Sequence, residues 1–156
     1  MRRADCISCN TVAGIHHPPG GIVYQDDHWA FFLRSRPLLV PGQGFVVLKR
    51  HCERLSDLTW AELQALGPMM QCAEHALHQV LKPVKVHFGL YAEAVQHLHL
   101  HVLPRMPTLP AGNIPVTILS TWYDLLVRIG LKRAYPDTVV ADVAHRLRAA
   151  MQSTGV

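Results

Sequence analysis

Histidine occupies three alternate positions, 97, 99 and 101, in Gln96-His97-Leu98-His99-Leu100-His101-Val102-Leu103-Pro104-Arg105. Side chains alternate across a β-strand, so the spacing predicts a strand over 96–103, closed by Pro104. It places His97, His99 and His101 on one face and Leu98, Leu100 and Val102 towards a core. A lone histidine is usually a satisfied structural residue. Three in alternation would each waste a surface position or cost buried polar free energy. Two chemistries use three imidazoles on one face. They can ligate a catalytic metal with an open fourth position, or one can attack phosphorus while its neighbours orient it and hold phosphate oxygens. Spacing leaves both open.

The rest of the chain narrows the setting. With 156 residues, 49% hydrophobic and 17% charged, it is long enough for one domain with a real core and too apolar for disorder. No apolar run reaches the roughly 18 residues of a membrane span. Met1-Arg2-Arg3-Ala4-Asp5-Cys6 has no apolar stretch behind its arginines, so no secretory signal is expected. A cytoplasmic protein without a membrane partner is the expectation. A net charge of +4 without a Lys/Arg run suits an anionic small molecule and gives no nucleic-acid tail. In a reducing compartment Cys6-Ile7-Ser8-Cys9 reads as a metal half-site or a redox pair.

Short apolar runs punctuated by turn residues predict strands at 22–24, 29–33, 45–49, 85–90 and 96–103. A long helix is expected from Thr59 to Val80. Asp57 or Thr59 caps it, and Leu63, Leu66, Met70, Ala73 and Leu77 form its apolar stripe. Helices are also predicted over 116–128 and after Asp137, the latter with Val140, Val143, Ala144, Leu147 and Met151 inward. Trp122 and Tyr123 are assigned to core packing. This order implies an α+β domain on an antiparallel sheet.

The triad followed by Val102-Leu103-Pro104-Arg105 resembles the signature of the histidine triad (HIT) family of nucleotide hydrolases and transferases. Cys6-x-x-Cys9 resembles that family's zinc half-site, Val23-Tyr24-Gln25-Asp26-Asp27 its first hairpin, and Pro41 to His51 its Pro-Gly-His…Pro-Lys-Arg-His segment. The resemblance runs from about Cys6 to Arg105. It implies a five-stranded antiparallel sheet with a packed long helix, a HIT-like domain over 1–105, and a helical C-terminal extension over 106–156 packed on the same domain.

It also implies roles. His99 would be the nucleophile, forming a nucleotidyl-histidine that water cleaves, with His101 on the phosphate oxygens and His97 completing the catalytic group. Cys6, Cys9, His51 and His97 would hold a closed, structural zinc, and no metal would serve the chemical step. The substrate would be a nucleotide phosphoanhydride or phosphoramidate, as in the short-loop diadenosine-polyphosphate hydrolase-like members, and the assembly a homodimer. Two alternatives accompany this reading: a zinc-stabilised nucleotide-binding or partner-binding protein with little turnover, and a metal-dependent hydrolase using all three histidines. The sequence departs from the family pattern at Gln43, Leu48, His87 and Glu93. The stretch Leu33-Arg34-Ser35-Arg36-Pro37 lacks the usual acidic or amide residue for ribose. Gln43, His87, Glu93, Arg34 and His101 are the expected substrate contacts.

Overall fold

The computed structural model describes residues 3–35, 38–91, 94–110 and 114–153. Glu93 and Arg36 lie outside the described residues. Strands β1 (Ile22–Gln25), β2 (Trp29–Leu33), β3 (Gly44–Leu48), β4 (Lys85–Leu90) and β5 (His99–Arg105) form one antiparallel sheet in the order β1-β2-β3-β5-β4. Helices α1 (Ile7–Val12), α2 (Trp60–Leu81), α3 (Val116–Arg128) and α4 (Asp137–Ser153) complete an α+β architecture. None of the described helices is long and apolar enough to cross a membrane.

Period-two alternation gives the sheet two different faces. Trp29, Phe31 and Leu33 of β2, Val46 and Leu48 of β3, and Val102 of β5 join the buried core under α2 and α4. The pairs Phe45↔His101 and Val47↔His99 put those residues on the opposite face, with Ala30 and Phe32 beside them. One face is core and the other carries the histidines.

Helix α2 begins at Thr59, whose hydroxyl accepts from the Glu62 N–H while the Glu62 carboxylate accepts from the Thr59 N–H. This reciprocal cap satisfies two backbone donors of the first turn. The buried stripe is Met69, Cys72, Ala73, Ala76 and Leu77. It differs from the expected one, because Leu63 remains 38% exposed and Met70 is not buried. Small Cys72 and Ala76 let α2 lie close against its neighbours, so contact follows size as well as hydropathy. In α4 all five expected residues, Val140, Val143, Ala144, Leu147 and Met151, are buried. Trp122 corrects an expectation: it is 59% exposed on α3 rather than in the core. Tyr123 is half-buried and donates its hydroxyl to the Arg133 carbonyl.

Candidate active site and metal site

Strand β5 starts at His99, three residues later than the predicted start at Gln96, and runs through Pro104 to Arg105 instead of closing at the proline. His97 therefore stands before the strand, and its ring turns away from His99 into the N-terminal segment. It is wholly buried. Its Nε2–H donates to the Leu48 carbonyl at 2.7 Å, which leaves Nδ1 bare, 3.3 Å from Cys6 Sγ and 3.5 Å from Cys9 Sγ. His51 Nδ1 stands 3.5 Å from Cys9 Sγ, while its Nε2 donates to Glu53 at 3.2 Å. Arg3 holds the same Glu53 carboxylate at 2.9 Å.

The ligand atoms of Cys6, Cys9, His51 and His97 all lie within 4.8 Å of one another. Zinc with ordinary Zn–S and Zn–N bonds has tetrahedral edges of about 3.3–3.8 Å, which the cysteine–histidine separations match. Each imidazole offers Nδ1 and uses Nε2 on a carbonyl or carboxylate, the outer-shell arrangement that orients metal-ligating histidines. Burial pushes the Cys9 thiol up, opposed by the Arg3 N–H and reinforced by Cys6. A divalent cation would reverse that cost, because thiolate is the metal-binding form. The set is closed and joins the first turn of the chain to the start of β5. His99 and His101 stand outside this cluster, so the three triad histidines do not converge on one ion.

His99 is 8% exposed, and its Nδ1–H donates to the His97 carbonyl at 2.6 Å. A carbonyl can only accept, so the proton resides on Nδ1 and Nε2 keeps its lone pair. Phe45 supports both remaining rings edge-on, with centroids 5.4 Å from His99 and 5.0 Å from His101. The His99 and His101 rings are themselves 5.1 Å apart. Burial, then the nearby His99 and Arg34, hold His101 down to about 4, so it is neutral at pH 7. Gly89 pairs with His101 across β4 and β5, and a Cβ there would meet the Tyr91 ring at 2.6 Å. Glycine thus lets Tyr91 lie over the strand, 5.2 Å from the His101 ring.

Two cavities meet at His99 and share Arg34, Phe45 and Val95. One, of about 470 Å³, also takes in Tyr91, His101, Leu103 and residues of α3. The other, of about 300 Å³, lies towards α1 and is walled by Ile7, Thr11, His16 and Phe32. Arg34 donates to Asp124 at 2.7 Å and so stands between them, half-buried.

The remaining expected contacts sit differently. Gln43 is 1% exposed; its Oε1 accepts from Leu39 N at 2.6 Å and its Nε2 donates to Ser120 Oγ at 3.0 Å. Its amide ties the loop before β3 to α3 and lines neither cavity. His87 faces the same side as Leu103 across β4 and β5, but its buried Nε2 has no partner and it also lines neither cavity. Burial, with Lys85 and Arg105 nearby, lowers its pKa. Sequence reasoning missed the α3 wall, Thr117, Ser120 and Asp124, because no local motif links residues near 120 to β5.

The sequence profile of the HIT domain matches residues 17–108. A curated relative, the bis(5′-nucleosyl)-tetraphosphatase (asymmetrical) of Schizosaccharomyces pombe, is 28% identical over 89 residues, which is 54% of this chain; the chain spans about half (48%) of the yeast protein. A zinc-bound histidine triad family protein from Mycobacterium smegmatis superimposes with a TM-score of 0.68 at 21% identity, over 96% of this chain and 95% of that one. A Hit-like protein involved in cell-cycle regulation from Bartonella henselae gives 0.69 at 22% identity, over 96% and 98%. At such identities the structural likeness speaks for the fold, and the profile match, over more than half of the sequence, speaks for descent. With its five-stranded sheet and its His99–His101 face, this chain belongs to the HIT domain family.

Proposed function

We propose that the chain is a HIT-type nucleotide hydrolase or nucleotidyl transferase acting on a phosphoanhydride or phosphoramidate through a nucleotidyl-histidine on His99. The observation that carries this reading is the hydrogen bond from His99 Nδ1–H to the His97 carbonyl, which in the neutral ring puts the lone pair on Nε2, in a residue that borders two cavities. Nε2 forms an N–P bond as the bond from phosphorus to the leaving group breaks; a leaving phosphate departs as an anion with the electron pair, and a leaving amine departs neutral after its nitrogen takes a proton from solvent. Water then attacks phosphorus and gives up a proton to solvent, while the N–P bond breaks and its electrons return to Nε2. Neutral His101 offers a ring N–H to a phosphate oxygen, and Arg34 supplies positive charge at the junction of the cavities. His97 acts through its carbonyl.

Zinc held by Cys6, Cys9, His51 and His97 would be structural, fixing the N-terminal segment against the start of β5. None of the four cysteines is in a disulfide, which suits a reducing, cytoplasmic setting. Residues 106–156 are read as an extension of the same domain, with α4 buried in its core. A homodimer is the proposed assembly, with the edge strand β4 and its exposed Leu90 as the available border.

The test is trapping. Brief incubation with a labelled dinucleoside polyphosphate or adenosine phosphoramidate, followed by alkaline quench, leaves nucleotide on His99 in the wild type. Turnover in His99→Ala falls by several orders of magnitude. Binding without any adduct or turnover would leave a nucleotide-binding protein and overturn the enzymatic reading.

A further inference from the structure

Helix α3 carries more apolar side chains than the fold covers. Leu119, Tyr123, Leu126 and Val127 are half-buried, whereas Ile118, Trp122, Leu125 and the C-cap Ile129 are 45–59% exposed. A helix that meets only its own domain keeps its outer side polar. The exposed four are spaced four, three and four residues apart, so at 3.6 residues per turn they fall within about 60° of arc. That is the seam by which one helix meets another; a helix settled on a broad apolar surface turns a face of about 100° or more to it. Ile114 and Leu131, just beyond the helix ends, are 43% and 70% exposed. Six such side chains offer on the order of 500–600 Å² of apolar surface, which meets the ~65% apolar share of a homodimer interface of ~800 Å² per partner. Charge sets the direction of pairing. Arg128 closes the last turn, with Lys132 and Arg133 after it, all exposed, and Asp124, the only acid of α3, accepts from Arg34. Two parallel copies of α3 would set these cations against each other. Antiparallel copies hold the Arg128 positions roughly 14 Å apart along the axis and oppose the helix dipoles.

We infer that two copies of this chain join α3 to α3, antiparallel about a two-fold axis, and that each lends Arg128 to the mouth of the other's larger cavity. The axis sets Ile118 opposite the partner's Ile129 and Trp122 opposite the partner's Leu125, so one patch complements itself. It also keeps the same flank of both helices on one side. Arg128 lies one and two turns along from Asp124 and Thr121 on the flank that lines the cavity. The partner's Arg128 therefore comes level with Leu119, between Thr117 and Thr121, at the cavity that holds Arg34 and His101. The pairing stands on the exposed seam and is a contact apart from the β4 border. The loan of Arg128 rests on the nucleotide reading above and adds that one of the cations facing the phosphates comes from the second copy.

The seam is tested without nucleotide, by sedimentation equilibrium of the full chain. Leu125→Glu and Trp122→Ala each halve the mass, whether or not β4 also pairs, and thermal melting checks that both variants fold. A monomeric wild type, or an unchanged mass in either folded variant, overturns the seam. A monomer that binds phosphatidylglycerol vesicles and loses them in Trp122→Ala assigns the strip to a membrane instead. Ile118→Cys mixed with Ile129→Cys cross-links on oxidation, because the native cysteines are buried; Ile118→Cys cross-linking only to itself shows a parallel pair and overturns the axis. The loan of Arg128 is tested by turnover. Arg128→Ala raises the KM for a dinucleoside polyphosphate about tenfold at unchanged mass, the size of one charge-assisted hydrogen bond. Co-expression with an excess of His99→Ala, which keeps Arg128 and lacks the nucleophile, returns that KM to the wild-type value, since the contact is made across the pair. A KM that stays raised puts Arg128 in its own subunit's site and overturns the loan. A wild type without adduct or turnover sinks the proposed function and the loan together, and the mass measurement decides the seam alone.

Discussion

His97 serves two neighbours with two different atoms. Its ring faces the cysteines and its carbonyl fixes the tautomer of His99. His101 does neither, and its contribution is tested through pH. Its folded pKa of about 4 lies below the ordinary 6.5, because burial comes first and His99 and Arg34 add to it. The unfolded chain takes up a proton as pH falls through 6.5, and the folded chain resists until about 4. The stability tied to neutral His101 is therefore complete above the unfolded value and is lost as pH falls between the two. Tyr91 and Phe45 flank the ring and add no charge in that range. Replacing His101 with Asn should shrink the drop in melting temperature between pH 7 and pH 5, and an unchanged drop would show that this ring is not desolvated. His99 and His101 were legible in the alternation alone, since a strand can point them only one way. The destination of His97 was not: the strand begins only at His99, and the cysteines it meets are 91 and 88 positions away. Asp124 carried no local signal at all.

At the scale of elements, α2 is anchored by more than its cap. Arg50 grips Glu62 through Nε and Nη2 at 2.5 and 2.7 Å, and Trp29 Nε1 donates to the Glu62 carbonyl at 2.9 Å. Glu62 is held down to about 2, first by Arg50, against its own burial, and then by Thr59. A carboxylate lowered in this way stabilises the fold above its unfolded value near 4.5 and loses that contribution as pH falls towards 2. Glu62→Gln should therefore cost about 2 kcal/mol at pH 7, measured by denaturant unfolding, and the gap to wild type should close below pH 4. The cap was readable as Thr59 with Glu62 three residues on. Its third partner, Arg50, was not, because the pairing spans the turn between β3 and α2. The apolar stripe was displaced for a related reason: hydropathy alone undervalues Cys72 and Ala76, which permit close approach.

For the whole molecule, the ligand set joins positions 6, 9, 51 and 97, and a metal clip that closes so long a stretch removes much freedom from the unfolded chain. Metal analysis should find about one zinc per chain. Cys9→Ser, or a strong chelator, should lower the melting temperature by roughly 5–10 °C, and measurable turnover should persist in the variant. Unchanged melting in metal-free protein would dismiss a structural metal. The sheet order β1-β2-β3-β5-β4 carries a consequence for synthesis. On a growing polypeptide β4 is made before β5, yet β5 must slide between β3 and β4 to complete the sheet. Cys6, Cys9 and His51 wait, incomplete, until residue 97 has been translated, and His99 and His101 arrive in the same few steps. Under the proposed roles, any nascent fragment long enough to hold His99 already holds His97, the last residue of the candidate metal set.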